Sequence, residues 1–239
     1  MKTRLKINGI IMVCAVILVA FFPRFFFRSY SGGAWEEAAE VLGFALIFLG
    51  QIIRVSARGY KAEHSCESQS LIQGGPYQVV RNPMYLGIFL IGLGVVLAIF
   101  KWWAVVVFII IFIIRYLFLI YKEEKKLQEK FSDTYKKYCQ KVPRIFPLLL
   151  NMVEMDASDY LPIKLTWFKK EIGSMITLLL FVLLVESWED IVSEGFKVYL
   201  KQSVWLFLTF VLFAILVILL SRQTEKKYGS GQGNSKNKL

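Results

Sequence analysis

The stretch GGPYQVVRNPMYLG, residues 74–87, places Arg81 between Tyr77 and Tyr85 just ahead of a long apolar run. Gly74, Gly75 and Pro76 make a turn. Pro83 pushes Asn82 toward extended geometry, and its own fixed φ suits the first position of a helix. Asn82 is therefore expected as an N-cap, followed by unpaired backbone N–H groups whose positive helix end, beside Arg81, attracts carboxylate or phosphate. Further on, Glu123 and Glu124 are adjacent acids that attract a cation or a hydroxyl group. An anion-seeking helix end facing two acids suits an amino acid zwitterion. Taken singly, each half has a plainer use: Asn-Pro caps a helix, Arg81 reaches lipid phosphate, and the glutamates pair with Lys126 and Lys130 for only about tenths of a kcal/mol.

What must position these groups follows from composition. The 239 residues are 56% hydrophobic and 15% aromatic, with a mean hydropathy of +0.52, too apolar for an ordinary soluble domain. The expected class is all-α, a polytopic membrane bundle of about six spans near 7–22, 41–53, 86–100, 102–121, 172–185 and 204–220, with a cytoplasmic-side interfacial helix. A formal net charge of +11 beside such spans reads as topology and anionic lipid headgroup contact, not as nucleic acid binding. Lys2, Arg4 and Lys6 before the first span, Arg54, Arg58, Lys61 and Arg81 after the second, and Arg222, Lys226 and Lys227 after the sixth put both termini on the cytoplasmic side. Arg24 and Arg28 run against that orientation. The basic start and apolar middle also resemble a signal peptide, but PRFFFR stands where a cleavage site would, so a retained anchor is expected. Cys14, Cys66 and Cys139 match no metal or disulfide spacing and read as free thiols.

The chain divides into an anchor span and loop (1–35), a core holding both polar motifs (36–147), a linker with two more spans (148–222) and a flexible polar tail (223–239). Two stretches, 54–82 and 122–170, are too polar to cross a bilayer. A short break at Lys101 makes the third and fourth spans a hairpin whose inner ends bring those stretches together. In KEEKKLQEKFSDTYKKYCQKVPRIFP, Leu127, Phe131, Tyr135, Tyr138 and Val142 recur at helical spacing against lysines, an amphipathic helix ended by Pro143 and Pro147. In YLPIKLTWFKK, Trp167 beside Lys169 and Lys170 suits an interfacial anchor. The tail's GxGxG, Gly229 to Gly233, lacks the strand and helix that a phosphate-cradling loop requires.

The two blocks GPYxxxRxPxYxG and EExxLxxxFxxxYxxYxxxVPRxxP, in this order and separated by a hairpin, resemble the isoprenylcysteine carboxyl methyltransferase and phospholipid methyltransferase family over roughly residues 41–147. The resemblance implies a membrane enzyme that uses S-adenosylmethionine on a membrane lipid or lipidated substrate at the cytoplasmic face. By motif position, Gln69, Gly75, Tyr77, Arg81, Asn82, Pro83, Tyr85, Gly87, Glu123 and Glu124 would line the cofactor site, while Arg144, helped by Arg115, would orient the acceptor. The chain departs from the family in three places. Asn82 stands where many relatives have histidine, a form similar to that of bacterial members. Gln69 replaces another histidine, and the sole histidine, His64, is out of register. Leu119 stands where members acting on prenylated cysteine often carry arginine, leaving Arg115 two turns from the acids.

A carboxylate nucleophile is ionised at neutral pH and needs no base, so the lack of an obvious base in the motifs fits ester formation. An amine would first have to lose a proton, to Glu123, Glu124 or a tyrosine. Lipid N-methylation therefore stands second, with a nicotinamide-dependent membrane reductase and a non-catalytic membrane protein behind it.

Overall fold

The computed structural model describes residues 23–28, 33–65, 71–147 and 157–173, with 175–176 and single helical positions between 204 and 222. Gln69, Cys14, Cys66 and the expected spans at 7–22, 172–185 and 204–220 lie wholly or mainly outside them. Three helices dominate: α1 (Ala34–His64), α2 (Pro83–Ile99) and α3 (Trp102–Lys141). Short turns at Pro23–Phe26, Gly75–Gln78 and Ala157–Tyr160 and a helical stretch at 165–173 complete them, with no strand among the described residues. α1 and α3 are long and apolar enough to cross a bilayer, whereas α2 has 17 residues. Val106, Ile110, Ile114 and Phe118 stand exposed along α3, as lipid-facing positions would.

α1 outruns its apolar stretch because its polar end is also packed. Val55, Ser56 and Ala57 are buried, and Ser56 donates a hydrogen bond to the Pro162 carbonyl at 2.6 Å. Trp167 lies in this contact, 7% exposed, with Ile52, Val55, Ile163 and Phe168. It is a core residue and not the interfacial anchor its lysine neighbours suggest. Gly59 makes room for it, since a Cβ there would meet the indole at 2.1 Å.

Two glycine pairs set the α1–α2 contact. Gly43 meets Gly94 and Gly50 meets Gly87, with added Cβ atoms falling 2.4–2.7 Å from the partner's carbonyl oxygen. Both helices space their glycines seven apart, so an antiparallel pair matches both contacts at once and the backbones approach closely. The α2–α3 hairpin is looser, with Gly92 against the Phe108 ring and Phe89 against Phe108 and Phe112.

The amphipathic segment after Lys122 continues α3 as far as Ser132, where a kink separates it from a further helical stretch ending at Lys141. Ser132 breaks the line with φ 41° and ψ −110°, an unfavourable region for a residue with a Cβ. Beyond it, Tyr135, Tyr138 and Val142 pack against Leu71, Leu127 and Phe131, the face that the periodicity marked. At the far end of α2, Arg28 donates to the carbonyls of Leu97 (2.7 Å) and Phe100 (3.3 Å). Its charge, which runs against the positive-inside pattern, caps the orphan carbonyls of a helix terminus.

Gly87→Ala is expected to lower thermal stability in detergent by about 1–3 kcal/mol, because the new methyl group meets backbone. Gly92→Ala, which meets a ring that can turn, should cost clearly less. Ser132→Gly should raise stability by up to about 1 kcal/mol by relieving the positive φ. Melting curves of the three variants check these expectations.

Candidate active site

The two polar motifs meet. Glu124, at the polar end of the α3 span, is ion-paired through one oxygen with Arg81 Nη1 at 3.2 Å. Arg144 holds the same carboxylate two-pronged, Nη2 to Oε2 at 2.8 Å and Nε to Oε1 at 3.3 Å. The side chains of Arg81 and Glu124 are only 13% and 10% exposed, while that of Arg144 is 48% exposed. Beside them, the Tyr85 hydroxyl donates to Glu123 Oε1 at 2.7 Å.

A strap formed by residues 142–147 closes over the first motif. The Arg81 amide donates to the Pro143 carbonyl at 2.8 Å, and Asn82 Nδ2 to the Arg144 carbonyl at 3.1 Å. Asn82 occupies the N-cap position but makes no side-chain cap bond; its Nδ2 is turned to the strap instead. Its carbonyl accepts from the Tyr85 and Leu86 amides. With Pro83 lacking an N–H, only the Met84 amide is left open in that turn, so the helix end is a weaker anion site than the sequence suggests.

Gly75 enters the motif turn with φ +58°, lying on the Tyr60 ring where a Cβ would be 2.8 Å from two ring carbons. Tyr77 donates to the Ala57 carbonyl at 3.4 Å, and its own carbonyl accepts from the Tyr138 hydroxyl at 2.5 Å. Burial pushes the Tyr77 phenol above its ordinary range, with Glu123 adding to the shift. Burial also raises Tyr138, next to Tyr135 and Tyr77. Neither is a ready proton acceptor at neutral pH. For Arg81, burial works to lower the pKa, but Glu124, Cys139 and Tyr135 outweigh it, so the guanidinium is held charged.

The structure thus gathers Tyr77, Arg81, Asn82, Tyr85, Glu123, Glu124 and Arg144. Pro83 is fully buried at the start of α2. Gly87 faces Gly50 in the helix contact, and Arg115 is exposed on α3 with no hydrogen bond or ion pair to the cluster. The sequence reading missed Cys139, whose sulfur accepts from Arg81, and the roles of Tyr60 and Tyr138 beneath the motif turn. The YxxY spacing at 135 and 138 was a signal for the last of these, read only as an apolar face.

The donor set fits an amino acid cofactor. Arg81 Nε is buried without a hydrogen-bond partner, a donor that a carboxylate would satisfy, and Glu123, bonded to Tyr85, is an exposed acid in the second motif. No cluster among the described residues has the ligands to hold a metal ion.

Glu124→Gln should destabilise the protein by about 2 kcal/mol, less than for a fully buried pair, because Arg81 loses its counter-charge. Glu123→Gln, at an exposed site, should cost under about 0.5 kcal/mol. Thermal melts compare the two. Melts across pH should also show stability falling as pH rises through 10.0, the ordinary tyrosine value, since the unfolded chain releases protons that folded Tyr77 and Tyr138 retain.

Residues 38–134 match the family model described as phospholipid methyltransferase, the family to which the two motif blocks point. No curated protein and no solved structure matches the chain. The matched segment contains α1 from its second turn, α2, the motif turn and α3 as far as the residues after the Ser132 break.

Proposed function

From a membrane methyltransferase core at residues 38–134, we propose an S-adenosylmethionine-dependent enzyme that esterifies the carboxylate of an isoprenylated cysteine or a similar lipidic acid. Its multi-pass fold would face this site to the cytoplasm, with both termini on that side. When bound, S-adenosylmethionine supplies a methyl group on a sulfonium, transferred by in-line displacement. The residues that would hold it are those of the motif turn and acid pair: Gly75, Tyr77, Arg81, Tyr85, Glu123 and Glu124.

The observation that carries the reading is the state of Arg144. Two of its five N–H bonds go to Glu124, which leaves three uncommitted on a half-exposed side chain. Glu124 fixes the guanidinium's plane, and the free donors suit a second carboxylate, that of the acceptor. Arg115, lacking any tie to the cluster, is not needed for this. An acceptor already ionised requires no general base, which agrees with tyrosines pushed upward by burial and a Glu124 whose oxygens are held by two guanidiniums.

The family's description as phospholipid methyltransferases favours a second reading, N-methylation of a lipid amine. The two differ in sign with pH. A carboxylate, with a pKa near 4, gives a rate flat between about pH 6 and 9, whereas an amine near 10 gives a rate rising with pH. The transferred methyl group is base-labile in the ester and base-stable on nitrogen. Calorimetric binding of S-adenosylmethionine should be lost or at least about tenfold weaker in Arg81→Ala and Glu123→Ala. Absence of binding by the wild-type chain overturns the proposal.

A further inference from the structure

On another side of α1 from the motif turn lies a cavity of about 540 Å³ that the methyl-transfer cluster does not use. Its walls are the last turns of α1, with Val55, Arg58 and Gly59, and the segment carrying Trp167, Lys170 and Glu171. That second wall falls beyond the family match, which ends at 134. We propose that this cavity is a binding site for a singly charged phosphate ester, separate from the site of methyl transfer.

Charge is the first reason. Glu171, only 8% exposed, is paired with Arg58 at 2.6 Å and Arg54 at 3.6 Å, so two guanidiniums face one carboxylate. At the opposite edge, Lys164 and Glu63 neutralise each other at 2.6 Å. Lys170 is exposed and has no ion pair among the described residues. Among the lining residues three cations, Arg58, Lys164 and Lys170, stand against two acids, Glu63 and Glu171, which leaves one positive charge around a partly enclosed space, the complement of a monoanion. Arg58, 55% exposed, presents a fork suited to phosphate oxygens, with a single carboxylate as its partner.

Shape and position supply the second reason. The helical stretch 165–173 starts at this cavity, and its first turn adds the positive end of a helix dipole to the basic side chains. Trp167 packs against Gly59, giving one apolar wall beside the charged ones, an arrangement matched to a headgroup with glycerol attached. The lining residues of α1 follow the end of its apolar run, the depth at which phospholipid phosphates lie. A volume of this size accommodates a headgroup but not a folded peptide. The site is carried by α1 and the chain beyond residue 157, and does not depend on the methyltransferase reading.

Native mass spectrometry of the full chain in detergent tests it, with phosphatidylglycerol, diacylglycerol and the soluble diester glycerophosphoglycerol added in separate arms. Phosphatidylglycerol should be retained several-fold more than diacylglycerol. Lys170→Gln should weaken retention about three- to fivefold without moving the melting temperature, and Arg58→Gln with Lys170→Gln about tenfold or more. Binding of glycerophosphoglycerol at comparable concentration would assign the phosphate to a soluble source; failure of that arm alone would assign it to lipid. Equal retention of diacylglycerol and phosphatidylglycerol, or wild-type retention in both variants, overturns the proposal. S-adenosylmethionine binding should be unchanged in Lys170→Gln, which separates this outcome from that of the methyl-transfer site.

Discussion

One carboxylate joins three parts of the chain that the sequence keeps far apart. Glu124 binds Arg81 from the turn before α2 and Arg144 from the strap after α3. Each guanidinium brings its backbone with it, and the strap then closes through the Pro143 and Arg144 carbonyls onto Arg81 and Asn82. A charge so little exposed is costly to leave unpaired, so the cluster selects one arrangement of the helix ends. The same selection leaves Arg144 half-exposed, with part of its guanidinium outside the ion pair.

That cluster would not form on a loose bundle. The Gly43–Gly94 and Gly50–Gly87 contacts hold α1 and α2 at backbone distance and fix the height at which the motif turn leaves α1. Gly75, resting on Tyr60, then bends the chain back toward Tyr138. The aromatic face of α3 beyond Ser132 completes the wall by packing Tyr135, Tyr138 and Val142 on Leu71 and Leu127. Packing therefore positions the polar groups, and the polar groups in turn lock the packing.

Much of this was legible before any coordinates. Polar motifs at the ends of apolar runs, with a hairpin between them, had to come together, and Arg81, Glu123 and Glu124 did. The amphipathic period of α3 identified its buried face. Pairings were harder to read, because composition along a chain does not say which distant group arrives. Arg54 and Arg58 read as topology charges, yet both face Glu171, and Arg28 serves helix carbonyls. Asn82 looked like a cap because nothing local revealed that a strap would claim its amide. Trp167 looked like a membrane anchor because the space offered by Gly59 is visible only in three dimensions. The seven-residue glycine spacing shared by α1 and α2 was readable, and its complement across the two helices was the missed signal.

The two seams of the bundle differ in what they permit. Where backbone lies on backbone, as between α1 and α2, sliding or parting breaks the contact outright. Between α2 and α3 the surfaces are rings, Phe89 against Phe108 and Phe112, which can re-stack by changing rotamer while staying dry. The bundle therefore has one seam that holds its spacing and one, along α3, that can adjust its side chains without losing contact.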